Sequence, residues 1–254
     1  MVMFLSDSEL LRYQRQLIIP HVGEEGQRKL KNVKVFIAGI GGLGSISASY
    51  LVAAGIGHIT IVDSDKVELG NLNRQIIHWT ADINKWKADS AFFKLREINP
   101  YCHITSIHER IKVDNIMNLL GDCSIIVDAT DNMQTRQVLN MASLKQRIPF
   151  IYGGVKEFNG MITTFVPGET PCFDCIFPTI IQQEEIFGIF GPVAGVVASL
   201  QTIEVLKIIL GIGELMKGKL LCFNFLNLRF RKISIEKNSD CEACGKISES
   251  DYAR

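Results

Sequence analysis

Residues 33–55, VKVFIAGIGGLGSISASYLVAAG, constrain the fold more than any other stretch of the chain. A short β-rich run, VKVFIAG, ends in glycine, and a small-residue helical segment, LGSISASYLVAAG, follows and closes at Gly55. Gly39, Gly41 and Gly44 match the spacing G-x-G-x-x-G between a strand and a helix. Backbone N–H groups in such a turn cradle phosphate oxygens at the positive end of the helix. Asp63 ends the next strand, HITIVD, where such folds set a carboxylate against ribose hydroxyls. The alternation continues with a helix expected over 84–97, a strand at CHITSI, a strand at CSIIVDAT and a helix over about 132–146 leading to PFIYGG. Strands alternating with helices predict an α/β fold, a Rossmann-like and mostly parallel sheet with helices on both faces. Ligands of such sheets bind at the carboxyl ends of the strands, where Asp63, Asp65, Asp128 and Asp131 all fall. After residue 155 the pattern changes. GMITTFVPG, KLLCFNFLN and LRFRKISIE read as antiparallel strands that extend the sheet, with the helix PVAGVVASLQTIEVLKIIL between them.

The glycine turn alone fits an NAD-dependent dehydrogenase as well as any other nucleotide enzyme. The charged residues that follow narrow the choice. Arg74 in NLNRQ and Lys87 direct positive charge towards the strand ends that carry the carboxylates. Cations that neutralise phosphate oxygens, beside an aspartate such as Asp131 to hold Mg²⁺, suit a nucleoside triphosphate and its metal. Any such anion site is local: Lys+Arg and Asp+Glu balance at 27 each, so no net field attracts nucleic acid or a membrane surface. The most apolar segment, 191–213, is interrupted by Gln201, Glu204 and Lys207, which suits a buried helix better than a membrane span. The N-terminus lacks the basic and apolar regions of a signal peptide, so a cytoplasmic protein is expected.

The 254 residues, 47% of them apolar, are enough for one large domain. N-terminal helices are expected over 1–32 (Ser6 or Asp7 capping the segment 7–17), a nucleotide-binding half over 33–155, and a second half over 156–254 that carries the cysteines. Cys172 and Cys175 in PCFDC, with Cys241 and Cys244 in CEACG, form two Cys-x-x-Cys knuckles. Four thiolates make a closed tetrahedral zinc site with no position left for water, which is a structural arrangement. Cys102 and Cys123 lie in expected strands and Cys222 in an apolar run, and each reads as buried packing. The five histidines share no spacing pattern and read as structural or exposed.

The ordered set RYQRQLII, GIGGLG, DSDKVELGNLNRQ, Lys87, DATDN, CFDC, GPVAGVVASLQTIEVLK and CEAC resembles the MoeB/ThiF family, relatives of the ubiquitin-activating enzymes. The resemblance covers roughly residues 7–245. It implies ATP-dependent adenylation of the C-terminal glycine of a small ubiquitin-like sulfur carrier, of the kind that serves molybdopterin or thiamine biosynthesis. It also implies roles by position. Gly42 with its neighbours Gly39, Gly41 and Gly44 would lie against the nucleotide, Asp63 would bind the ribose, and Asp65 would stand beside it. Asn71, Arg74 and Lys87 would contact the phosphates with Asn73 and Asn132 at the edge of the site, and Asp131 would bind Mg²⁺. Arg15 would reach the site of a partner subunit, making a homodimer part of the mechanism. A terminal carboxylate, with a pKa of roughly 3.5, is already ionised at neutral pH and needs no general base. Positioning and charge neutralisation suffice, which accounts for a site without a nucleophile–histidine pair.

The chain departs from family members that carry a cysteine in the loop before the GP..G helix. IFPTIIQQEEIFGIFGPVAG contains none, which favours adenylation alone, with sulfur delivered by a separate donor protein. This loop is expected to close over the carrier tail. Three alternatives remain open at this point: adenylation of another peptide or carrier, a dehydrogenase, and a non-catalytic partner subunit.

Overall fold

The computed structural model describes residues 4–178 and 188–245. In chain order its elements are α1 (Asp7–Arg12), α2 (Gln14–Leu17), α3 (Gly23–Lys31), β1 (Lys34–Ala38), α4 (Gly42–Ala54), β2 (His58–Val62), α5 (Lys87–Ile98), β3 (His103–Ile107) and α6 (Ile116–Leu120). There follow β4 (Ile125–Asp128), α7 (Met133–Gln146), β5 (Phe150–Lys156), β6 (Asn159–Phe165), α8 (Phe173–Ile176), α9 (Gly191–Leu210), β7 (Lys219–Asn224) and β8 (Arg229–Ser234).

The strands form one sheet of order β3-β2-β1-β4-β5-β6-β7-β8. The first five are parallel and the last three antiparallel. β1, β2 and β4 are nearly continuous apolar runs because both of their faces are covered. On one face Leu30 of α3, Leu51 of α4, Leu95 of α5 and Val205 of α9 pack on Val35, Ile37, Ile59 and Ile61. On the other, Ile116 of α6, Leu139 of α7 and Phe173 of α8 pack on Phe36, Ile126, Phe150 and Tyr152. Each fully buried aliphatic or phenyl side chain here contributes about 1.5–3 kcal/mol. β8 is the exposed edge, and Arg229, Arg231 and Lys232 discourage pairing with another strand.

Among the described residues, α9 alone is long and apolar enough to cross a membrane. It lies instead against α4, β5 and β6, and its polar residues have partners inside the fold. Gln201 Nε2 donates to the carbonyls of Asp128 (2.6 Å) and Ile151 (3.2 Å). Glu204 Oε2 accepts from Thr164 Oγ1 (2.6 Å) and Met216 N (2.8 Å).

Two expected helices differ in the structure. The segment 7–17 breaks at Tyr13, whose ring is buried against Gly55 and whose hydroxyl accepts from Asn99 Nδ2 at 2.8 Å. The break turns that ring inward. The helix expected from residue 84 begins at Lys87. Asn84 has φ +72°, and residues 84–87 pair with 65–67 through Val67 N to Lys85 O, Asn84 N to Val67 O and Lys87 N to Asp65 O. That pairing wins over helical propensity and carries Lys87 to the strand ends. β5 crosses the boundary expected at 155–156 and joins the two halves in one sheet.

Ser6 caps α1 in a capping box with Glu9: its hydroxyl accepts from Glu9 N at 3.3 Å, while Glu9 Oε2 accepts from Ser6 N at 2.9 Å. Burial opposes ionisation of Glu9, but the Lys31 ammonium and the Ser6 bonds outweigh it and hold the carboxyl below its ordinary range. A depressed acid stabilises the fold above its unfolded pKa of about 4.3, and that contribution is lost as pH falls through the lower folded value. Ser6→Ala is expected to cost about 1 kcal/mol. Thermal unfolding at neutral pH checks this as a drop of about 2–4 °C.

Candidate functional site

Strand register builds the site. Ala38 pairs with Val62 on one side and Asp128 on the other, and Val62 pairs with Ile107. The segments leaving β1, β2, β4 and β3 therefore emerge at one level. Strand order reverses between β1 and β4, the place where open parallel sheets bind ligands. A cavity of about 370 Å³ lies there, within the usual range for small-molecule sites. It is lined by the glycine turn (Gly39, Gly41, Gly42), by Asp63 and Asp65, by Arg74, Gln75 and Lys87, and by the segment Ala129–Asn132.

Gly39 has φ +89°, and a Cβ there would meet the Ala129 carbonyl oxygen at 2.7 Å, so both conformation and space require glycine. Gly41 and Gly42 face the cavity. Gly44 does not line it; a Cβ at 44 would stand 2.1 Å from the Gly39 oxygen, so this glycine serves to close the turn. Asp63 Oδ2 accepts from Ile40 N and Oδ1 from Asp65 N, both at 2.8 Å. Burial raises the Asp63 pKa against the pull of the Ile40 N–H and the Lys87 ammonium. Lys87 is buried, and its Nζ lies 2.9 Å from Asp65 Oδ2.

The acidic rim rests on a buried clamp. Asp128, fully buried, accepts from Thr130 N (2.9 Å) and Thr130 Oγ1 (2.6 Å). Arg136 Nε donates to Asp128 Oδ2 (2.9 Å) and Nη2 to the Thr130 carbonyl (2.7 Å). Thr130 is thus held from both sides, and the next residue, Asp131, lines the cavity with an exposed carboxylate that makes no hydrogen bond or ion pair among the described residues.

A comparison with protein families matches residues 13–243 to the ThiF family. The chain belongs to the ThiF family. It is 38% identical over 247 residues to the "Sulfur carrier protein adenylyltransferase" of Thermus thermophilus, covering 93% of this chain and 91% of the relative. It is 38% identical over 246 residues to the "Adenylyltransferase and sulfurtransferase MOCS3" of Culex quinquefasciatus, covering 94% of this chain and 56% of the relative. The chain therefore spans about half the length of the MOCS3 relatives it matches. Among solved structures, E. coli MccB with ATP superposes with a TM-score of 0.84 at 25% identity, covering 94% of this chain and 75% of that one.

Within this ThiF-family fold not every residue expected at the nucleotide lines the cavity. Asn71 is outside the cavity lining, and its Oδ1 accepts from Glu68 N at 3.1 Å. Asn73 is also outside, and its Oδ1 accepts from Arg74 Nη1 at 2.9 Å. Asn132 lines the cavity, but its Oδ1 caps α7 by accepting from Thr135 N at 2.9 Å. Arg15 is exposed on α2 and does not line the cavity of its own chain. The structure adds Gln75, Glu109, Arg110, Ile111 and Thr135 to the lining. Extending the strand-end rule to β3 locates 109–111 from the sequence alone; nothing local marks Gln75.

The four knuckle cysteines converge, their Sγ atoms all within 4.8 Å of one another. Cys172–Cys175 is 3.8 Å, Cys172–Cys241 3.6 Å and Cys175–Cys244 3.4 Å. Tetrahedral Zn–S bonds of about 2.3 Å set ligand sulfurs about 3.8 Å apart, so this donor set fits zinc. Asn140 Nδ2 donates to Cys172 Sγ at 3.6 Å while its Oδ1 accepts from Phe173 N at 3.1 Å, orienting the first knuckle. The expected closing loop lies largely outside the described residues, in 179–187.

Proposed function

We propose that this chain is an ATP-dependent adenylyltransferase that activates the C-terminal glycine of a small ubiquitin-like sulfur carrier for molybdopterin or thiamine biosynthesis. The names of its 38%-identical relatives support this reading, but one observation carries it. Lys87, Arg74 and Arg110 converge with the carboxylates of Asp65 and Asp131 on a glycine turn at the head of α4. Cations and carboxylates at one helix N-terminus match a triphosphate with its metal.

In the proposed reaction an oxygen of the carrier's terminal carboxylate attacks the α-phosphorus of ATP. A carbonyl-O–P bond forms, the bond from the α-phosphorus to its bridging oxygen breaks, and pyrophosphate leaves with the electron pair. Asp63 would hold the ribose hydroxyls. Lys87 and Arg74 would neutralise the phosphates, with Lys87 exchanging Asp65 for a phosphate oxygen. Mg²⁺, held by Asp131, would supply further neutralisation of the departing pyrophosphate. Zn²⁺ on the four thiolates would be structural. Arg15, exposed on α2 and outside the lining of its own chain's cavity, fits a homodimer in which it completes the partner subunit's site. A separate protein would supply sulfur to the activated carrier, and a cytoplasmic location is consistent with this chemistry.

ATP–pyrophosphate exchange tests the proposal. Exchange is expected only with a carrier ending in Gly-Gly. Exchange driven by an unrelated peptide would move the substrate class, and NADH binding without exchange would replace the reading with a dehydrogenase.

A further inference from the structure

His78 is fully enclosed and takes no part in the chemistry proposed above. Its Nε2 lies 3.0 Å from the Ile40 carbonyl and its Nδ1 2.9 Å from Ser90 Oγ. A carbonyl only accepts, so Nε2 carries the proton and Nδ1 accepts from the Ser90 hydroxyl. Ser90 Oγ in turn accepts from Lys94 Nζ at 2.9 Å, and Lys94 pairs with Asp82. Asp82 also accepts from Trp79 N (2.9 Å) and Lys85 Nζ (3.1 Å), which anchors the far end of the chain. Burial favours the neutral ring, lowering its pKa to about 4, so the tautomer with hydrogen on Nε2 is the one present at neutral pH.

The consequence lies in the peptide that His78 grips. A trans peptide sets its C=O and N–H on opposite sides. With the Ile40 carbonyl drawn into the interior, the Gly41 N–H of the same peptide is turned outward. Gly41 lines the cavity, and its N–H has no hydrogen-bond partner among the described residues. The preceding peptide is fixed as well, by Ile40 N donating to Asp63 Oδ2 at 2.8 Å. Without His78, the 40–41 peptide adjoins a glycine, where reversal of its plane meets little steric resistance. A reversed peptide would present a carbonyl oxygen to the phosphates.

We propose that His78 is a positioning residue that locks the Ile40–Gly41 peptide with its N–H towards the cavity, so that Gly41 donates to a phosphate of the bound nucleotide. The inference rests on the nucleotide reading of the site. Ser45 Oγ also reaches the Ile40 carbonyl, at 3.5 Å, but its shorter bond is to the Gly41 carbonyl at 2.5 Å. His78→Leu therefore removes the closer donor to Ile40 at similar size, and His78→Gln keeps a donor within reach. Binding of ATP and of adenosine is measured by calorimetry on each purified variant, with unfolding temperature alongside. Losing a hydrogen bond to a charged group is expected to weaken ATP binding in His78→Leu at least about tenfold. Adenosine, which has no phosphate, binds as before, and His78→Gln regains most of the ATP affinity. Ser90→Ala leaves the ring in place but frees its tautomer, and shifts ATP binding in the same direction by less; it decides the matter if His78→Leu does not fold. Unchanged ATP binding in His78→Leu overturns the inference, as does equal weakening of ATP and adenosine, which would mark general damage. A wild-type protein that binds no ATP at all would remove the adenylation reading and this inference together.

Discussion

Asp131→Asn is expected to lower carrier-dependent pyrophosphate exchange by about 10²–10³-fold, the size of effect that follows loss of one preorganised group stabilising transition-state charge, here the carboxylate that would hold the metal against the departing pyrophosphate. The unfolding temperature should stay within about 2 °C of wild type, since surface substitutions away from packed or bonded groups change stability by less than about 0.5 kcal/mol. The structural reason is the division of labour between two aspartates three residues apart. Asp128 is fully buried, held by Arg136 and Thr130, and positions the loop. Asp131 is exposed at the cavity with its carboxylate unengaged among the described residues, which leaves it free for a metal. Asp128→Asn supplies the contrast. It would leave the Arg136 charge buried without its counter-ion and destabilise the fold, an effect of about 3–5 kcal/mol for broken buried pairs. Half-saturating Mg²⁺ should rise in Asp131→Asn. Exchange at the wild-type rate in that variant would exclude Asp131 from the mechanism.

Cys172→Ala is expected to release zinc and to lower stability by more than about 4 kcal/mol, among the largest effects of a single substitution. In a chain of this size that corresponds to a fall of about 10 °C or more in unfolding temperature. The cysteines tie the end of the chain near Cys241 and Cys244 to α8, and through Asn140 and Leu144 to α7. Little apolar surface supports this corner: the buried cluster there is Leu144 with the cysteines themselves. Loss of the metal therefore leaves thiols without a core to hold them. Metal analysis of the purified variant and thermal unfolding with and without a chelator provide the measurement. Full zinc content in Cys172→Ala, or an unfolding temperature indifferent to chelation of the wild type, would refute the assignment.

Much of this architecture is legible from residue order because its causes are local. The run VKVFIAG is apolar at every buried position of β1, and Gly39 occupies a backbone conformation that other residues resist. Ser6 and Glu9 have capping-box spacing, and Gly55 closes α4 with φ +91°. Each Cys-x-x-Cys knuckle is legible from its own spacing, while their meeting in one four-thiolate cluster is made by the fold. The roles of polar side chains are less legible. Asn71, Asn73 and Asn132 follow a nucleotide-site pattern, yet in this structure each Oδ1 is occupied by a neighbouring N–H. Local hydrogen bonding of this kind competes with ligand contact, and residue identity alone does not specify which bond forms.

Residue order by itself determined the glycine turn, the strand–helix alternation and the two separate Cys-x-x-Cys knuckles, each of which depends on neighbours within a few positions; that the knuckles, 69 residues apart, meet in one site is a property of the fold. Only the tertiary structure decided that β4 lies beside β1, that the ends of four strands stand level, and that His78 reaches back to the Ile40 carbonyl. Those arrangements join residues far apart in the chain. Their free energy comes from the burial of whole faces of the sheet, a cooperative quantity that no short stretch carries.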